Sequence, residues 1–375
     1  MLSFVLPLLA LGCGGKVLDV GGQVDAPDAA SPTNDVIVPS WPVAAQRNAR
    51  SLHSEGLYLY WIADRGQGSA ILRCEKRDCA NTQTPVHQRE RDQTLLGMEV
   101  RGDFIYVVQP QGIYSCRTSD CTTLTAVVAD IKPSAVAFDE DHVYWSNRLD
   151  SKIYSCPLAG CGPRDVSVRI NGTDALELAV DATTLYWISG DSAYPHPPSF
   201  LMSAPKDGSV PPKALALRQN QAASLRLHNG FVFWATSFTV GTVAQCPLAG
   251  CRGDQPEILA DHQYFPLFVD VVADAIFWMN GSSAPGDPRP VQIASCQPAS
   301  CSSTLEVLDQ GTGGSRGARR RTPGTFGDAM VAPRELAVDD DAVYWFGDVV
   351  NLGPPGNEVI VVDASIRRTE RRRTR

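Results

Sequence analysis

The stretch "SAVAFDEDHVYWSNRLDSKIYSCPLAGC", residues 134–161, decides the fold. "SAVAF" reads as a strand, Asp139-Glu140-Asp141 as a turn, and "HVYWS" as a second strand. "KIYSC" is a third strand, "PLAG" a tight hairpin, and "DVSVRI", residues 165–170, a short fourth strand. Short apolar runs broken by Asp, Pro and Gly are strand-and-turn chemistry. No sustained 3.6-residue apolar period occurs, so helix is not expected anywhere.

The unit recurs along the chain. An apolar strand ending in two adjacent aromatics appears as "LYW" (59–61), "VYW" (143–145), "LYW" (185–187), "FVFW" (231–234), "IFW" (276–278) and "VYW" (343–345). "FIYV" (104–107) is a seventh copy with Val107 in place of Trp. A period near forty residues with strand patterning throughout is the signature of a β-propeller. An all-β propeller of four-stranded antiparallel blades is therefore expected. Seven blades match the repeat count; six with one atypical unit is the alternative. The last unit lacks a clear fourth strand, and "DVIVPS" (35–40) is expected to supply it from the N-terminus. The adjacent aromatics suit this architecture. Consecutive strand residues point to opposite faces, so Tyr144 is expected to fill one interblade gap and Trp145 the other.

The cysteines follow the same repeat. Ten of the eleven form five pairs of one spacing: Cys74/Cys79, Cys116/Cys121, Cys156/Cys161, Cys246/Cys251 and Cys296/Cys301. Zinc and thioredoxin-like pairs place two residues between ligands; four intervening residues suit a hairpin disulfide. In "FLMSAPKDGS" (200–209), Ala204 and Ser209 stand where both cysteines belong. Joint loss is what a covalent pair predicts. Five bridges at the third-to-fourth-strand hairpins imply an oxidising compartment.

"LAVDDDAVYWFGD" (336–348) and "FDEDHVYWSNRLDSKIYSC" (138–156) resemble the YWTD-type propeller repeats of the low-density-lipoprotein receptor family and related bacterial surface propellers. The resemblance covers most of residues 50–363. It implies a β-propeller and names no ligand. The family's Thr-Asp after Trp is not kept, and its propellers have six blades.

The N-terminus "MLSFVLPLLALGCGGK" carries an apolar run of signal-peptide length, too short to span a bilayer. "LALGC" (9–13) resembles a bacterial lipobox, which would make Cys13 a lipidation site and residues 1–13 a lipoprotein signal. A plain secretory signal is the alternative. Residues 14–34 read as a flexible tether, 35–366 as the propeller, and 367–375 as a basic disordered tail. The expected location is the bacterial cell envelope, as an outer-membrane lipoprotein held by a lipid anchor.

Net charge is −8. Two arginine tracts, at 316–321 and 367–375, sit on an otherwise acidic body, which argues against a nucleic-acid partner. Histidines are scattered, and no H-E-x-x-H, G-x-S-x-G or P-loop occurs. No catalytic residue, metal ligand or cofactor is assigned.

In a four-stranded blade the first-to-second and third-to-fourth connections share one rim, and the others share the opposite rim. The long, dissimilar insertions fall on the second rim, where Tyr194, His196, Tyr264 and Phe265 are the candidate ligand-binding residues. The expectation is a monomeric propeller that binds a protein or glycan partner there. A metal-assisted hydrolase or lactonase and a surface structural protein are the alternatives.

Overall fold

The computed structural model describes residues 41–46, 49–64, 68–88, 94–162, 164–190, 198–236, 240–281, 292–310, 330–331, 336–340, 342–351 and 360–370. All lie within one compact unit, Ile37–Arg375. Cys13, the 14–34 tether, the 35–40 segment, Tyr194 and His196 fall outside the described residues.

The described strands form seven sheets, six of four strands and one of five. The chain is all-β, and its four-stranded antiparallel blades form a propeller. Sheet one comprises Ala49–Glu55, Tyr58–Asp64, Ser69–Glu75 and Thr84–Gln88. Sheet two comprises Gly97–Arg101, Phe104–Gln109, Gly112–Arg117 and Thr125–Ala129. Sheet three begins Ala135–Phe138, His142–Asn147, Lys152–Pro157 and Ser167–Asn171. Sheet four is Ala175–Val180, Thr184–Ser189, Ser199–Pro205 and Lys213–Gln219; sheet five is Ala222–His228, Phe231–Thr236, Gly241–Pro247 and Glu257–Gln263. Sheet six is Pro266–Val272, Ala275–Asn280, Gln292–Cys296 and Glu306–Gln310. Sheet seven is Leu336–Val338, Ala342–Asn351 and Ile360–Glu370, completed by the N-terminal strand Trp41–Gln46.

The N-terminus thus supplies the missing strand, but through residues 41–46 rather than 35–40. Trp41 lies opposite Arg368 and Gln46 opposite Ala364. The third strand of this sheet runs to Glu370, so Arg367 and Arg368, expected in a disordered tail, are strand residues. Pairing with Ala342–Asn351 over the whole length accounts for the extension, and the Arg368 guanidinium lies 6.0 Å from the Tyr344 ring centre.

The aromatic pairs behave as period-two chemistry requires. Each apolar cluster lies between two sheets and joins the first aromatic of one to the second-position residue of the next. Tyr344 meets Trp61 across sheets seven and one, Tyr60 meets Val107, and Tyr106 meets Trp145. Tyr144 then packs with Trp187, Tyr186 with Trp234, Phe233 with Trp278 and Phe277 with Trp345. Every one of these side chains is buried. Large rings each bury roughly 150–250 Å², so these interfaces hold most of the core.

Turns on the first rim are fixed by Asp. Asp139 accepts the backbone N–H groups of Asp141 and His142 and the Tyr144 hydroxyl; Asp181 does the same for Thr183, Thr184 and Tyr186. Lys206 of sheet four reaches back to Asp139, and Lys76 of sheet one reaches back to Asp339 of sheet seven, each at 2.7 Å. Burial would raise the Asp139 carboxyl, but Lys206, the two N–H donors and Tyr144 outweigh it and hold it at about 2.

Four hairpin disulfides are present: Cys74–Cys79, Cys116–Cys121, Cys246–Cys251 and Cys296–Cys301. Their Cα separations, 4.7 to 5.0 Å, sit inside the range a bridge tolerates. Ala204 occupies the cysteine register, opposite Leu185 as Cys156 is opposite Val143. The expected Cys156–Cys161 bridge is not formed; both are thiols. Cys156 Sγ donates to the Pro157 carbonyl at 3.6 Å, and the Cys161 N–H is held by Val127 O of sheet two at 3.0 Å. Burial pushes both thiols up, which leaves them poorly reactive.

Helix was not expected, yet single α-helical turns follow two of the bridges, Cys79–Thr82 and Cys301–Thr304. In each, the final Thr hydroxyl accepts a backbone N–H from the start of the hairpin, from Glu75 and Gln297, at 2.9 Å. A threonine three residues past the second cysteine is the local signal.

Candidate functional site

Two of the described crossovers on the second rim are residues 218–224, between sheets four and five, and 262–268, between sheets five and six. They are backbone twins. Arg218, Gln221 and Ser224 have φ of 54°, 49° and 63°; His262, Phe265 and Phe268 have 54°, 44° and 50°. Six non-glycine residues in the left-handed region cost of order 1 kcal/mol or more each and persist only where surroundings over-determine them.

The surroundings are visible. In each crossover a glutamine carbonyl accepts the indole N–H of the buried Trp fifteen residues later. Gln219 takes Trp234 at 3.2 Å and Gln263 takes Trp278 at 3.1 Å. Gln263 also accepts Asn280 Nδ2 at 2.8 Å. After the crossover the inner strand bulges, between Ala223 and Arg226 in sheet five and between Leu267 and Asp270 in sheet six. The freed N–H groups need acceptors. Ser224 and Leu225 donate to the two carboxylate oxygens of Glu177 in sheet four, both at 2.8 Å. Val269 donates to Ser224 Oγ at 2.6 Å. A relay thus runs Glu177, Ser224, Val269 through three successive inner strands. Glu177 is fully buried, and burial raises its carboxyl against the pull of the two N–H donors and of Arg226.

Where the twins differ is at their tips. The 218–224 crossover carries Asn220 and Gln221; the 262–268 crossover carries Tyr264 and Phe265. The two rings meet edge to face, with centres 5.0 Å apart and planes at 88°, and both are half-buried. Phe265 O accepts the Gly281 N–H at 3.2 Å, which ties this tip to the loop that follows the second strand of sheet six. Beside it, His262 pairs with Asp261 at 3.2 Å, both well exposed. Two of the four residues expected to bind, Tyr264 and Phe265, are therefore brought together.

The relay was not legible from residue types. Its one sequence signal is spacing: contacts to the next sheet recur 45 residues on, as in His53 to Met98 O, Arg50 to Leu95 O, Ser224 to Val269 and His228 to Ala273 O. His53 and His228 are thereby joined to carbonyls of neighbouring sheets. Among the described residues no group of three or more His, Cys, Asp or Glu side chains converges in a way that holds a metal.

No family model and no curated protein matches the chain. Solved structures do. An oligogalacturonate lyase from Vibrio parahaemolyticus aligns with a TM-score of 0.62 at 9% identity, over 90% of this chain and 94% of that one. A chain of the mitotic checkpoint complex aligns at 0.55 and 10% identity, over 95% and 99%. The computationally designed Ika8 protein aligns at 0.50 and 10% identity, over 88% and 99%. At these identities the likeness is one of fold.

Proposed function

We propose that the chain is an envelope-anchored lipoprotein whose YWTD-type propeller binds a protein or glycan partner through the second rim, with Tyr264 and Phe265 as contact residues. The observation that carries this reading is the comparison of the twin crossovers. The same backbone forms with Asn220 and Gln221 at the tip, so the fold does not require rings at 264 and 265. Large aromatics that a scaffold does not need, held half-open on a rigid rim, are the side chains that anchor partners. Tyr194 and His196, which by sequence lie between the second and third strands of sheet four, are assigned to the same binding surface. Cys13 carries the lipid, and the Asp- and Pro-rich stretch after it is the tether.

Two measurements test the reading. The Tyr264→Ala/Phe265→Ala full chain should retain at least about tenfold less material from envelope extract than the wild type, the loss of a pair of aromatic anchors. Equal retention overturns the site. Incorporation of labelled fatty acid should vanish in Cys13→Ala, and persistent labelling removes the anchor from the account.

A further inference from the structure

The twin crossovers separate what the backbone needs from what the rim displays. Their left-handed residues, glutamine–tryptophan bonds and bulges match one for one. Aligned this way, Leu217 corresponds to Asp261, Arg218 to His262, Asn220 to Tyr264 and Gln221 to Phe265. All four differences point the same way. The second crossover loses a fixed cation, gains a carboxylate and puts two rings where the first has two amides. The face of an aromatic ring is the negative side of its quadrupole. One acid, two rings and no arginine or lysine within residues 261–265 make a surface that attracts a cation.

The carboxylate has room for a further donor. The Asp261 side chain is 59% exposed. Both contacts of its carboxylate come from His262: the backbone N–H donates to Oδ1 at 2.7 Å, and ring Nδ1 lies 3.2 Å from Oδ2. The Gln263 amide donates to the Asp261 carbonyl, not to the carboxylate. An ionised carboxylate offers about four acceptor sites, so each oxygen can take another hydrogen bond.

The chain itself shows which cation its rings take. Arg73 lies over Tyr58 and Arg117 over Phe104, each with the guanidinium carbon 5.0 Å from the ring centre. A guanidinium is planar, stacks on a ring and forks onto a carboxylate, which a compact ammonium does not.

We infer that Asp261, Tyr264 and Phe265 accept an arginine side chain of a protein partner, with the guanidinium on the ring pair and its N–H groups donating to the Asp261 carboxylate. This partner deepens the rim reading above, on which it rests: of a protein or a glycan, it commits to a protein that presents arginine. The first crossover, with Arg218 exposed in the place of His262, repels the same group.

The test is fluorine NMR of the full chain carrying 3-fluorotyrosine, with the Tyr264 resonance assigned by its loss in Tyr264→Phe. The probes are acetyl-Gly-Arg-Gly-amide and the same peptide with citrulline, which keeps the shape of arginine without its charge. The arginine peptide should shift the Tyr264 resonance saturably and bind at least about tenfold tighter than the citrulline peptide. Asp261→Asn should weaken it at least about fivefold, and Phe265→Leu, which keeps apolar area without a ring, at least about threefold. An equal response to the two peptides overturns the proposal, and that comparison is made on the wild type, with no variant to fold. Unchanged affinity in Asp261→Asn, or tighter binding of acetyl-Gly-Lys-Gly-amide or tetramethylammonium, overturns it as well. The rim and the cation fail separately. Equal peptides, with envelope material still lost by Tyr264→Ala/Phe265→Ala, overturn the arginine partner and leave the rim. Selective binding of the arginine peptide, with envelope retention unchanged in that variant, supports the cation site and overturns the rim reading.

Discussion

The crossovers at 218–224 and 262–268 follow one backbone path and are held by different chemistry. In the first, a buried carboxylate accepts two N–H groups; in the second, a serine hydroxyl accepts one. The first ends in amide side chains, the second in two rings. The path is set by the glutamine–tryptophan bond and the inner-strand bulge, and the tip is free to vary. A propeller built this way keeps its crossovers rigid while changing what they display.

The pair can be broken most severely at Gly241. A Cβ there would lie 1.9 Å from Thr236 O and 2.6 Å from Pro266 Cδ. The matching position of the other crossover is Ser199, opposite Gln219 as Gly241 is opposite Gln263. Gly241→Ala should therefore cost about 3 kcal/mol in chemical denaturation, because backbone must move to admit the methyl group. Ser199→Ala should cost less than about 1 kcal/mol, a loss of one hydroxyl with no overpacking.

Glu177→Gln removes the charge from the first crossover only. An amide cannot accept at both ends, so one N–H loses its partner, and the expected cost is about 2 kcal/mol. Burial lifts the Glu177 carboxyl above its ordinary value. Its contribution is then fully present below the unfolded value near pH 4.3 and is lost as pH rises through the lifted one. Denaturation midpoints of the wild type relative to Glu177→Gln should fall with rising pH across that window. A gap independent of pH would show that the carboxyl titrates normally in the fold.

Leucine at the two glutamines gives a graded comparison. Gln263→Leu strands two donors, Trp278 Nε1 and Asn280 Nδ2, and should cost about 1.5 kcal/mol; Gln219→Leu strands Trp234 Nε1 and should cost about 1 kcal/mol. The smallest effect belongs to the tips. Tyr264→Ala/Phe265→Ala and Asn220→Ala/Gln221→Ala should each shift stability by no more than about 0.5 kcal/mol, as rim substitutions do. A large loss for the aromatic pair alone would mean that the rings pack the fold rather than serve the rim.

Features governed by neighbours in sequence were legible. Tyr144 and Trp145 fall on opposite faces because strands alternate, and that follows from two letters. Hairpin bridges follow from one spacing. What escaped depends on contacts far along the chain. The hexapeptide Cys-Pro-Leu-Ala-Gly-Cys occurs at 156–161 and 246–251, with Gly160 and Gly250 at φ of 122° and 126°. Only the second copy is bridged; in the first, the Cys161 N–H donates to Val127 O of another sheet. The left-handed residues at 218–224 and 262–268 are equally silent, since Arg, Gln, His and Phe give no local sign of that conformation. Of the candidate site, the adjacent aromatic letters at 264 and 265 were readable, and the Glu177–Ser224–Val269 relay was not.

The strand that completes sheet seven comes from residues 41–46 and pairs with residues 360–370. During synthesis, then, an early segment of the wheel must wait, unpaired, until nearly every other sheet has been made. Assembly is timed by the last strand to emerge. A chain stalled before residue 360 would hold the two inner strands of sheet seven, with Tyr344 able to meet Trp61, but would leave the N-terminal strand without its partner.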